Sequence, residues 1–79
     1  MTAAEFKKWT EEHAESVADY YANGISYKFA ELRDGWTAIF EATGCSYTPL
    51  IQASDRAHAE SYCYLREPLT VPVQVLFED

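Results

Sequence analysis

Two histidines (His13, His58), two cysteines (Cys45, Cys63) and the carboxylates Glu11, Glu12 and Glu15 are the side chains in this sequence best suited to chemistry. A zinc ion accepts imidazoles and thiolates, but their spacing fits no finger, ribbon or C-x-x-C pair. His58 and Cys63 are five apart, so on a helix they diverge by more than a quarter turn. A nucleophilic reading pairs a cysteine with His58, yet neither thiol has an activating context in the sequence. The plainer role is a small buried thiol. His13 falls on an apolar helical stripe, where a hydrogen-bonded core imidazole belongs. The three glutamates suit acid–base work only in an environment that sets their acidities apart, and an outward helix face does not. Glycines at 24, 35 and 44 are too scattered to cradle a phosphate, and H-E-x-x-H, EF-hand and G-x-S-x-G patterns are absent. The expectation is a binding protein rather than an enzyme, with no catalytic residue, metal or cofactor.

The elements that would carry these residues follow from capping signals and periodicity. Thr2-Ala3-Ala4-Glu5 has the form of a capping box, and Phe6, Trp9, His13, Val17 and Tyr20 recur at steps of three and four. A helix over residues 3–22 is expected, stopped by Asn23-Gly24. The period then becomes two in Ile25-Ser26-Tyr27-Lys28-Phe29 and again in Trp36-Thr37-Ala38-Ile39-Phe40-Glu41. Asp34-Gly35 between them suits a two-residue type I′ hairpin. That register pairs Arg33 with Trp36, Phe29 with Phe40, Tyr27 with Ala42 and, on the other face, Lys28 with Glu41. Gly44 closes the second strand. Residues 47–53 read either as a third strand or as the start of a helix capped at Thr48-Pro49, and the spacing of Leu50, Ile51, Ser54 and His58 leans to the helix. Residues 55–67 are helical either way, with Pro68 as the stop. Residues 69–77 alternate as an edge strand through Val71, Val73, Val75 and Phe77, with Pro72 on its outer side. An α+β two-layer sandwich results, of order α-β-β-α-β, with both helices on one face of a three- or four-stranded antiparallel sheet. Its core would hold Phe6, Trp9, Val17, Tyr20, Phe29, Phe40, Tyr62, Leu65, Val71, Val73 and Val75.

Seventy-nine residues make one domain with one core. A composition that is 48% hydrophobic and 15% aromatic argues against disorder. Thirteen acidic against six basic residues give a net charge of −7. That sign argues against direct nucleic-acid binding and against an anionic membrane surface, and it permits a basic protein partner. No apolar run is long enough to span a bilayer, and the first residues do not resemble a secretory signal, so a reducing cytoplasm is the expected compartment.

Two surface features could bind such a partner. Glu11, Glu15 and Asp19 follow at steps of four on the expected first helix, about 6 Å apart, with Glu12 beside them. They could stand in for backbone phosphates before a basic groove, or simply keep the protein soluble. Aromatic residues also exceed what one small core can hide, and Tyr21, Trp36, Tyr47 and Tyr64 are the candidate interface anchors. Compact size, acidity and the lack of any catalytic motif together resemble the profile of small phage-encoded anti-defence proteins of the anti-CRISPR type. The resemblance implies an inhibitor that blocks the nucleic-acid or partner site of a larger complex, and it transfers no functional residues. The alternative is a homodimeric structural or accessory protein, so monomer and homodimer both stay open.

Overall fold

The computed structural model describes residues 1–65 and 73–75. Its order is α1 (Ala3–His13), β1 (Ala14–Ala22), β2 (Ile25–Leu32), β3 (Thr37–Thr43), β4 (Ser46–Ala53), α2 (Arg56–Leu65) and β5 (Val73–Val75). The strands form one antiparallel sheet in the order β1-β2-β3-β4-β5. The class is α+β, as expected, but two more strands lie between the helices than the α-β-β-α-β order allowed.

The first helix starts where the sequence indicates. Thr2 Oγ1 accepts from the Glu5 amide at 3.2 Å and the Glu5 carboxylate accepts from the Thr2 amide at 2.9 Å. It ends nine residues earlier than expected, at His13 rather than at residue 22. Ala14 is already extended, so the chain passes from helix to strand without a loop. Arg33 fixes this point: its guanidinium donates to the carbonyls of Glu12 (2.7 Å) and Glu11 (3.3 Å), two of the acceptors that a helix end leaves unpaired. Beyond it, Ala14–Ala22 pairs with Ile25–Leu32. Asn23 and Gly24 have φ of 52° and 77°, the two positive values that a type I′ hairpin turn needs. The same dipeptide serves as a helix stop and as a hairpin turn, and here it is the turn.

The β2–β3 hairpin exists as expected but its register is one residue away. Phe29 pairs with Ile39, Lys28 with Phe40 and Tyr27 with Glu41. The turn is longer than two residues: Gly35 N–H donates to Leu32 O (3.0 Å), Leu32 N–H donates to Trp36 O (2.8 Å), and Gly35 takes φ 95°. This is the three-residue hairpin loop with a left-handed glycine after a turn, and Asp34 Oδ1 secures it by accepting from the Trp36 amide at 3.0 Å. Arg33 therefore caps α1 instead of facing Trp36. A cation–π contact does form, but from Arg56 over Phe29, 5.6 Å from the ring centroid.

A shift of one residue moves every side chain of a strand to the other face. Phe29 and Phe40 accordingly lie on opposite sides of the sheet, which is covered on both. Phe40, Ala30 and Ala38 pack with Phe6 and Trp9 of α1, while Phe29, Ile39, Tyr27 and Ala53 pack with Ala59 and Cys63 of α2. The expected single layer of two helices on one face is thus corrected to one helix on each face. Val17 and Leu65, placed in the core from sequence, are exposed.

Residues 46–53 are strand, not helix. Among the described residues, β5 pairs with β4 over Ile51–Ala53 and the first two residues meet Ser46 and Tyr47, so no described residue asks Pro49 for a ladder N–H on that side. Asp55 caps α2, accepting from the His58 amide at 2.9 Å. The edge strand expected over residues 69–77 is seen as β5 at the sheet edge. Its remainder, with Val71, Pro72 and Phe77, lies outside the described residues, as do residues 66–67 of the expected second helix.

Candidate functional site

The four chemistry-bearing residues do not converge. His13 is exposed at the end of α1, its ring 4.8 Å from that of Trp9, so it is not the core imidazole expected. His58 is half-buried beside the α2 cap, with Nδ1 at 2.8 Å from Asp55 Oδ1. Cys45 is exposed in the β3–β4 turn and Cys63 is buried under the sheet. Among the described residues, no three His, Cys, Asp or Glu side chains group closely enough to hold a metal ion. Among the described residues, Glu5 and Asp55 have displaced acidities. Each is held below the usual carboxylate range, chiefly by a backbone amide, that of Thr2 and that of His58 respectively. Both act at helix starts, Glu5 as the capping-box partner of Thr2 and Asp55 as the residue before α2.

The acidic row expected along one helix is divided by the helix–strand junction. Glu11 and Glu12 close α1, Glu15 falls at an irregularity in β1 between Ala14 and Ser16, and Asp19 lies farther along the strand. At about 3.3 Å per residue, Glu15 and Asp19 stand about 13 Å apart rather than 6 Å. Asp19 also pairs with Lys28 from β2. What survives is a corner: Glu11, Glu12 and Glu15 are all exposed where α1 turns into β1. Carboxylates at a helix C-terminus oppose its dipole, and the Arg33 guanidinium on the same carbonyls offsets this.

The expected aromatic anchors divide in two. Tyr47 stacks on Phe6 at 4.4 Å and belongs partly to the α1-side core, and Trp36 is half-buried. Tyr21 and Tyr64 are exposed, at 70% and 64%. With Val17 and Leu65 they make up the large exposed hydrophobics among the described residues. Asn23 draws Tyr21 and Tyr64 toward one end of the molecule, since its side-chain amide donates to Tyr64 O at 2.6 Å and so clips the end of α2 to the β1–β2 turn. Beside Tyr21, on the face that carries α1, lies an open depression of about 480 Å³ bordered by Asp19, Ser26, Lys28, Ala42 and Tyr47.

Sequence reasoning missed the edge itself. Ala22 and Ile25 flank a two-residue turn, so they exchange backbone hydrogen bonds. Alternation then sets the rest of the strand: Tyr20 and Ala18 turn their N–H and C=O toward β2, and Val17, Asp19 and Tyr21 turn theirs outward. Among the described residues nothing pairs with that outer side. The signal was the alternation from residue 16 to 22, hidden by a helical spacing that Val17 and Tyr20 satisfy equally well.

No protein family, curated protein or solved structure matches this chain. No helix among the described residues is long and apolar enough to cross a membrane.

Proposed function

We propose that this chain is a protein-binding module that acts as an inhibitor, occupying a basic nucleic-acid-binding or partner-binding site of a larger cytoplasmic complex in the manner of anti-CRISPR proteins. The observation that carries the reading is the meeting of three features at one side of the fold. These are a strand edge that no described residue pairs with, exposed apolar side chains at Val17 and Tyr21, and the Glu11–Glu12–Glu15 corner. Apolar anchors supply affinity, and a charged margin supplies orientation and on-rate. Contact is made with protein, not with nucleic acid, because a net charge of −7 repels phosphates.

Two variants with the same change in net charge test it. Glu12→Lys with Glu15→Lys alters the corner, and Glu41→Lys with Glu60→Lys alters other carboxylates. Binding to a basic protein probe such as core histones should weaken at least about tenfold for the first pair only, a loss of about 1.4 kcal/mol. Equal weakening by both pairs would reduce the corner to its share of overall charge.

The second reading is a homodimer joined through the same edge, favoured by the exposure of Val17 and Tyr21. Sedimentation equilibrium distinguishes them, since the inhibitor reading expects a monomer.

A further inference from the structure

We propose that β1 receives an extended segment of the partner as an added antiparallel strand, with a basic side chain opposite Asp19 and apolar side chains opposite Val17 and Tyr21. This rests on the protein-binding reading and specifies how the binding is made.

The backbone supplies the first part. Val17, Asp19 and Tyr21 present N–H and C=O groups outward along a straight run of β1, at the spacing an incoming strand matches. Natural sheets usually blunt so long an edge with proline, a bulge or a covering element. Here the irregularity lies at the start of the strand, between Ala14 and Ser16, and residues 16–22 pair with β2 in unbroken register. The edge is regular over the stretch that would be used.

Side chains supply the second part. Val17, Asp19 and Tyr21 share the face of the sheet that carries α1, yet they lie outside the packed cluster beneath the helix, with Val17 43% and Tyr21 70% exposed. An added strand places its own alternate side chains directly opposite this row. Val17 and Tyr21 offer apolar contact on either side of a carboxylate. Asp19 bonds Lys28 through Oδ1, and its side chain remains 80% exposed, so a second cation can approach it. An arginine suits that position because it can engage a carboxylate through two N–H groups at once.

Charge decides between a partner segment and a second copy. Two β1 strands pairing about a two-fold axis with Val17 opposite Tyr21 put Asp19 opposite Asp19, and like charges directly opposed destabilise a strand pair. With Val17 opposite itself, Glu15 meets Asp19. Two chains of net charge −7 add a general repulsion. A basic segment meets neither obstacle.

The test uses the full chain labelled with nitrogen-15 and two synthetic peptides, Thr-Val-Thr-Arg-Thr-Val-Thr and the same sequence with Glu in place of Arg. At millimolar concentration the Arg peptide should shift the Val17, Asp19 and Tyr21 amides and slow their hydrogen exchange at least about tenfold, with Ala18 and Tyr20 little changed. The Glu peptide should bind at least about tenfold more weakly, and Asp19→Arg should reverse the preference. Equal response to both peptides, shifts confined to the Glu11–Glu12 corner, or no shift would overturn the proposal. Protection of the same amides that grows with protein concentration and without peptide would also overturn it, in favour of a second copy. Failure of the corner variants to weaken histone binding removes the proposed function but leaves the three-amide signature to be seen. Loss of that signature with the corner effect intact removes only strand addition.

Discussion

At the residue scale, two carboxylates and two phenylalanines set most of what can be measured. Glu5 and Asp55 each accept from a backbone amide at a helix start. Thr2→Ala and Asp55→Ala each remove a capping acceptor and should lower the midpoint of thermal unfolding followed by circular dichroism. The pH dependence follows from the direction of the shifts. Both carboxyls are held below their unfolded acidities in the native state, so their stabilisation is complete above the unfolded value and is lost as pH falls through the folded one. The difference in midpoint between wild type and Asp55→Ala should therefore be full at neutral pH and shrink as pH falls below the usual carboxylate range. Phe29 and Phe40, both fully buried, should each cost about 3–5 kcal/mol when truncated to alanine. Their effects should be close to additive because the sheet separates them. The Thr2–Glu5 box was legible because capping is local: four residues contain the whole interaction. The exposure of His13 was not, because it depends on where the helix ends, and Arg33 sets that from about twenty residues away.

At the element scale, turn chemistry decided what periodicity could not. Asn23-Gly24, expected as a helix stop, and Asp34-Gly35, expected as a two-residue turn, each fit more than one backbone solution, and the first expectation is wrong. The first became a hairpin turn and converted residues 14–22 from helix to strand. The second took three residues instead of two and displaced the register by one. That single step moved Phe40 to the face opposite Phe29 and left room for a helix on each side. Alanine at Gly35, whose φ is 95°, should destabilise by about 1–2 kcal/mol. The observed register also predicts short cross-strand proton contacts between Lys28 and Phe40 and between Phe29 and Ile39 by nuclear Overhauser spectroscopy. Contacts between Phe29 and Phe40 as direct partners would restore the two-residue turn. Residues 46–53 were ambiguous because Thr-Pro can open a helix or sit on a strand edge, and only pairing with β3 resolves it.

At the scale of the whole molecule, the acidic surface is legible in composition but its layout is not. Helical spacing places Glu11, Glu15 and Asp19 in one row, and the junction of α1 and β1 separates them into a corner and a paired aspartate. Glu11 and Glu12 occupy the helix end where the dipole disfavours negative charge. Glu11→Gln with Glu12→Gln should therefore stabilise the fold by about 0.3–1 kcal/mol per site while weakening binding to a basic protein. Unfolding in denaturant and a binding titration on the same variant check both directions at once. A surface serving solubility alone gives no reason for binding to fall selectively at this corner.

Everything about recognition depends on β1 being an open edge strand. Amide hydrogen exchange of the isolated protein tests that most directly. Residues 17 to 22 should alternate, with Ala18, Tyr20 and Ala22 protected by β2 and with Val17, Asp19 and Tyr21 exchanging at least about tenfold faster. Uniform protection along the segment would mean a helix, or an edge already occupied, and would contradict the account.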